Sequence, residues 1–242
     1  MKEQIQQSEV IREFSRFAHS YDSYNEIQKE VAKKLCKLLD KNSYDKILDI
    51  GAGDGAIYES LSKNNISCSN FVALDFSREM LDIHKSNSYI EKFCLDFNKR
   101  GFSSVFENNQ FNLIISSSAL QWSSNLSLVL EELSTLADEY LFSFFTANTF
   151  RTLHNIINID SPILTKEKIL GALDTFFSYE VEIVEYRLNF DSVHDMLRYI
   201  KKSGVSGGVK QLAYKEMKTL MLEYPLGYLE FEVIFVRVIK KK

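Results

Sequence analysis

The hydrophobic positions of the chain change period several times, and each change marks an element. In EVAKKLCKLL, residues Val31, Leu35, Leu38 and Leu39 fall at i, i+4, i+7 and i+8, one stripe of a helix. Residues 4 to 40 as a whole read as helical. KILDI follows, a short unbroken apolar run of the kind buried on both faces of a parallel sheet. After it come a glycine loop and a helix running through Leu61. NFVALDF (70–76) reads as a second strand, with Ser77 as N-cap of the helix REMLDIHKS. IEKFCLDF (90–97) is a third strand, FNLIISSSAL (111–120) a fourth and EYLFSFFT a fifth, with the helix LSLVLEELSTL before the last. The alternation predicts an α/β fold, a doubly wound and mostly parallel sheet. Beyond Thr146 the pattern loosens. TFRTLHNIIN and SVHDMLRYIKKSG look helical, while YEVEIVEYRLNF and YLEFEVIFVRVI alternate with period two, as late antiparallel strands do. One domain is expected: a helical cap over 1–43, a ligand-binding core over 44–146, and further helices and strands over 147–242.

Composition narrows the picture only a little. The 242 residues are 45% hydrophobic and 26% charged, with a net charge of −4, ordinary for a globular protein and unsuited to a general polyanion binder. Cys36, Cys68 and Cys94 are widely spaced and form no C-x-x-C pair, which reads as thiols in a reducing compartment. The N-terminus has no apolar core of a signal peptide, and no stretch reaches membrane-spanning length. A cytoplasmic protein with no membrane partner is expected.

The loop after the first strand, GAGDGA, satisfies the dinucleotide fingerprint through Gly51, Gly53 and Ala56. Its charges point elsewhere. Asp49 ends the strand two residues before Gly51, and Asp54 lies inside the loop. A pyrophosphate would be repelled by carboxylates this close, which argues against a nicotinamide enzyme. A ligand bearing an ammonium and a sulfonium would be attracted, by about 1 to 4 kcal/mol per contact. S-adenosyl-L-methionine is such a ligand. Asp75, ending the second strand, is placed for ribose hydroxyls, and Asp96, ending the third, for an adenine amino group. Phe76 and Phe97 follow these acids and are expected to face the adenine ring.

ILDIGAGDG, VALDFSREML, CLDF and FNLIISSSALQW resemble, in order, the signature segments of class I S-adenosylmethionine-dependent methyltransferases. Three segments carry a narrower resemblance, to the BioC family of malonyl-[acyl-carrier protein] O-methyltransferases. They are FSRFAHSYDSYNEIQ (14–28), SSSALQWSSNL (116–126), and MLRYIKKSGVSGG together with the late YPLGYLEFEVIFVRVI. Ala52, Ser117, Asn125, Val205 and Ser206 depart from that family's usual residues, and none of these removes a charge the chemistry needs. The resemblance implies a Rossmann-like fold, S-adenosylmethionine as methyl donor without a metal, and a malonyl-acyl carrier protein as substrate. It places Met80 and Ser116 beside the donor, Gln121 and Trp122 in the walls of the transfer cavity, and Tyr21 as a lid.

The implied acceptor is a carboxylate, ionised at pH 7, that needs no general base. This fits a chain whose four histidines, His19, His84, His154 and His194, form no triad or metal motif. An arginine is expected to grip that carboxylate through its planar fork. Arg198 is the first candidate, with Arg16 and Arg151 behind it. Between Met196 and Met221 stand six basic residues and one acid, either a steering patch for an acidic carrier or a solvated helix face. Two other readings stay open: methylation of a small-molecule carboxylate or other metabolite, and a non-catalytic adenosylmethionine-binding partner. Nucleic-acid methylation is disfavoured by the charge and by the lack of an N-P-P-Y-type tetrad after the fourth strand.

Overall fold

In the computed structural model, residues 24–106, 110–203 and 213–241 are described. Among them, seven strands form one sheet in the order β3-β2-β1-β4-β5-β7-β6. They are β1 (Ser43–Ile50), β2 (Ser67–Asp75), β3 (Ile90–Cys94), β4 (Phe111–Ser117), β5 (Ala137–Phe145), β6 (Phe177–Asn189) and β7 (Tyr228–Lys241). The first five run parallel, whereas β7 inserts antiparallel between β5 and β6. The two period-two segments are thus a hairpin-like pair at the sheet edge, as their alternation predicts. On β6 Phe177 and Tyr179 join one core cluster and Val184, Tyr186 and Leu188 the other, while Val181 and Ile183 face solvent.

Helices cover both faces, which is why the central strands read as unbroken apolar runs. Along β1, Ile47 joins one hydrophobic cluster and Leu48 the other, and along β2 Phe71 and Val72 part in the same way. On the first face lie α1 (Glu26–Cys36), through Val31 and Leu35, and α2 (Ala56–Lys63), through Ile57 and Leu61. The opposite face takes Leu126, Val129, Leu130 and Leu133 of α4 (Leu126–Leu133) and Ile169 and Leu173 of α6 (Lys166–Phe176). The remaining helices are α3 (Arg78–Ile83), α5 (Arg151–Ile157), α7 (Val193–Ser203) and α8 (Tyr214–Glu223).

Several boundaries differ from the periodic reading. The stripe over α1 is correct at Val31 and Leu35, but the helix ends at Cys36, so Leu38 and Leu39 pack half-buried from the following turn. The third strand stops at Cys94, so Asp96 and Phe97 lie beyond it rather than at its end. Helices α6 and α8 carry no element in the sequence reading. Each is short, and the apolar face of α8 reaches the core only through Leu220. The strand order reverses between β1 and β4, whose carboxyl ends lie side by side. In such sheets that crevice is where a ligand binds.

Candidate functional site

The glycine loop opens that crevice. Gly51 and Ala52 both donate their N–H groups to the Leu74 carbonyl, at 2.8 and 3.0 Å, which turns the chain sharply over the end of β2. Gly51 holds φ +72°, and a Cβ there would stand 2.2 Å from the Cβ of Ala119. No other residue type meets both the left-handed backbone and the close approach. The loop ends at Gly55, the N-cap of α2, with φ +95°. A small cavity results, lined among others by Asn25, Gln28, Gly53, Asp54, Ser117 and Ser118. Ser118 is itself left-handed, φ +58°, at the exit from β4.

The electrostatics of this crevice are unbalanced. Asp49 is fully buried, and neither of its carboxylate oxygens has a hydrogen-bond partner. Burial pushes its pKa well above the ordinary carboxylate value, and the neighbouring Asp75 and Asp54 push it further. Asp75 is also buried, but its Oδ1 accepts from the Ser77 N–H at 2.8 Å and its Oδ2 from the Gly53 N–H at 2.9 Å. Burial still raises its pKa to about 6, against the lowering effect of those N–H donors. Three carboxylates thus crowd one loop. Such a site is complementary to a positively charged ligand and hostile to a phosphate.

The structure distributes the sequence-derived candidates unevenly. Asp49, Gly51, Gly53 and Asp75 converge on the loop, and Met80, buried on α3, extends its Cε to 3.4 Å from where a Cβ of Gly53 would stand. Phe76 is half-buried directly after Asp75. Two expectations need correction, Phe97 and Ser116, and Asp96 is engaged in part. Asp96 bends back on its own turn, its Oδ1 accepting from both the backbone and side-chain N–H groups of Asn98. Phe97 is a core side chain on the α4 face rather than a ring open to a ligand. Ser116 is wholly buried and donates to the Ile50 carbonyl at 2.7 Å, stapling β4 to β1. Strand-end position alone predicts none of these commitments, because each depends on what the surrounding groups offer.

Gln121 and Trp122 sit on a single 3₁₀ turn, Leu120–Trp122, after β4. Gln121 is buried and donates to the Ser118 carbonyl at 2.7 Å, leaving its Oε1 without a partner. Arg198 lies half-exposed on α7, donating to Asp195 Oδ1 at 2.9 Å with His194 Nδ1 3.2 Å away. Arg151 pairs with Glu185 and Glu230. Neither arginine is among the residues around the loop cavity. Tyr21, Arg16 and His19 lie outside the described residues, as do Val205, Ser206 and Lys210. Asn25 and Gln28 lie in the segment 14–28 that carries the narrower resemblance, but the sequence reading gave neither a role at the site.

The fold and the loop now stand beside known proteins. Residues 48–138 match the family model of a methyltransferase domain. The curated relatives include a malonyl-[acyl-carrier protein] O-methyltransferase of Bacillus cytotoxicus, 29% identical over 217 residues, 81% of this chain and 75% of that one. Another, from Marinomonas, is 26% identical and aligned over 94% of this chain and 92% of its own. The chain carries a methyltransferase domain on a class I methyltransferase fold. A third relative of the same name, from Bacillus anthracis, is 30% identical over 153 residues, and the chain spans about half of it, 55%. The fold agrees: the YcgJ protein of Bacillus subtilis superposes with a TM-score of 0.62 at 13% identity, covering 88% of this methyltransferase and 99% of that chain. The plantazolicin methyltransferase BpumL, solved with SAH, gives 0.55 at 16% identity over 96% and 95%. The resemblance read from the signature segments is borne out. Among the described residues of this methyltransferase, no group of His, Cys, Asp or Glu is arranged to hold a metal ion, and no helix is long and apolar enough to cross a membrane.

Proposed function

We propose that this methyltransferase works in the cytoplasm and methylates the free carboxylate of a malonyl thioester on acyl carrier protein, an early step of biotin synthesis. The supporting observation is the extent of the similarity. The match to enzymes of that name runs over 94% of the chain, well past the 48–138 core shared by methyltransferase domains in general. Acceptor specificity in this fold is carried by what surrounds the core, so similarity there bears on the substrate.

The residues fit the donor. Asp49 presents two buried oxygens in need of a partner, and a donor carrying both an ammonium and a sulfonium supplies positive charge to that loop. Gly51 and Gly53 let the backbone come close, and Asp75, each oxygen already engaged by one N–H, retains lone pairs for ribose hydroxyls. Phe76 and Met80 give the apolar walls. When bound, the donor supplies an electrophilic methyl group on sulfur.

This chain's share of the reaction is placement. The acceptor carboxylate is a competent nucleophile at neutral pH, and no side chain has to take a proton from it. Holding the reactants in line supplies about 7 to 11 kcal/mol of the barrier. Gln121 and Trp122 wall the cavity at the end of β4, excluding water that would otherwise hydrate the nucleophile. Arg198 takes the malonyl carboxylate by exchanging its present partner Asp195 for it. A +1 methyl mass gain on malonyl-carrier protein, absent on acetyl-carrier protein, tests the assignment. Methylation of free malonate at the same rate would transfer it to a small-acid methyltransferase.

A further inference from the structure

Two side chains outside the methyltransferase core present bare oxygens to the loop cavity. Both come from α1. Asn25 is completely buried and Gln28 is 9% exposed, both line the cavity, and neither Asn25 Oδ1 nor Gln28 Oε1 has a hydrogen-bond partner. Buried amide oxygens left unpaired are uncommon, because each forfeits its hydration without return. Asn25 stands at the N-cap position, where asparagine ordinarily bonds its own helix. Here its side chain makes no cap bond and donates instead to Asp54 Oδ2, at 2.8 Å. That bond uses the amide nitrogen, and so fixes which end of the amide is the free acceptor. Helix α1 packs through Val31 and Leu35 on the sheet face shared with α2, so its first turn is held over the loop by apolar contacts. The hydroxyl of Ser118, across the cavity, is likewise buried and unpartnered.

We infer that the first turn of α1 is part of the donor site, with Gln28 Oε1 and Asn25 Oδ1 accepting hydrogen bonds from the ammonium of the donor's methionyl portion above the carboxylate of Asp49. An ammonium carries three N–H donors and no acceptor. It is the complement of a socket built from two amide oxygens and a carboxylate. The inference rests on the adenosylmethionine reading and names two ligands for it that lie outside the 48–138 domain. It also makes donor binding depend on α1 staying docked, so the helical cap selects the aminoacyl end rather than merely covering it.

Two probes isolate the contact: S-adenosylhomocysteine, which has the ammonium, and 5′-methylthioadenosine, which lacks the aminoacyl portion. Both are titrated calorimetrically into the full chain. Gln28→Leu is expected to weaken S-adenosylhomocysteine about tenfold or more, as for loss of a charge-assisted bond, and to leave methylthioadenosine unchanged. Unchanged methylthioadenosine binding also certifies that the variant is folded. Gln28→Glu keeps an acceptor in place and adds charge, so it should bind S-adenosylhomocysteine at least as well as wild type. Equal losses for both probes in Gln28→Leu would reduce α1 to packing and overturn the inference. So would an unchanged affinity for both. A loss in Gln28→Glu matching that in Gln28→Leu would show the amide N–H reading the donor's carboxylate instead, and would also overturn it. Wild-type protein that binds neither probe would defeat the donor reading itself, a failure distinct from all three.

Discussion

The two halves of the sheet treat their charges in opposite ways. At the carboxyl ends of β1 and β2, Asp49 is buried without partners and Asp75 is buried beside it, with Asp54 close by. Around β7, every acid in view is engaged. Glu230 takes Arg151, the Thr152 hydroxyl and the Thr152 N–H, while Glu232 takes the Thr146 hydroxyl and the Asn148 amide. The first arrangement is unfavourable for the empty protein and complementary to the cationic donor proposed above. The second is self-sufficient and ties the loops after β5 to the antiparallel strand. Around the glycine loop, then, buried acceptors are left unpaired where those beside β7 are satisfied.

The largest break in that contrast is expected from Gly51→Ala. The added Cβ meets Ala119 at 2.2 Å on a left-handed backbone, and overpacking with the conformational penalty should remove about 3 kcal/mol of stability. A urea titration reads the loss, and S-adenosylhomocysteine binding should vanish with it; retention of both would mean the loop can relax.

Next in size is the pH dependence of the donor-free protein. Asp75 is raised to about 6 from 3.8, so between those values the folded state holds more protons than the unfolded one, and stability falls as pH rises. The drop is about 3 kcal/mol across that window, and Asp49 acts in the same direction. Saturating S-adenosylhomocysteine should flatten the slope, because the ammonium favours the ionised carboxylates. Thermal melts from pH 4 to 7, with and without ligand, provide the check. His84 acts in the opposite direction. Burial lowers its pKa, so stability is full above its ordinary value and declines as pH falls through the lowered one.

Asp49→Asn sharpens the comparison from the other side. Replacing an unpartnered buried acid with a neutral amide should leave the melting temperature equal or higher. Donor affinity should fall by about 1.5 to 3 kcal/mol, the worth of a hydrogen bond to a charged group. A fall in stability without a fall in affinity would place Asp49 in the framework rather than the site.

The smallest effect on folding is expected at Arg198→Ala. Its pair with Asp195 is half-exposed, and such pairs contribute under about 1 kcal/mol. Turnover with malonyl-carrier protein should nonetheless collapse while S-adenosylhomocysteine affinity holds. Normal turnover would remove Arg198 from the acceptor site.

Much of the donor half was legible in the sequence because its signals are local. A buried parallel strand is an unbroken apolar run, a glycine loop declares its own backbone, and Ser77 caps α3 as its position suggests, accepting from the Met80 N–H. Ligand character could be read from Asp49 and Asp54 alone, since two like charges beside a helix N-terminus already exclude a phosphate.

What the tertiary structure decided is which polar groups are spent and which are spare. Phe97 and Ser116 look as available as Phe76 and Asp75 in sequence, yet the α4 core and the Ile50 carbonyl claim them. Conversely, Asn25 and Gln28 resemble ordinary residues of an amphipathic helix until α1 lands over the glycine loop. The reason is general: a backbone conformation is written in neighbouring residues, whereas a hydrogen-bond ledger closes only when distant segments meet. For this methyltransferase, the sequence by itself determined the strand-loop-helix frame and the sign of its charge. Only the packing of α1 and β4 around that frame determined which oxygens face the cavity unpaired.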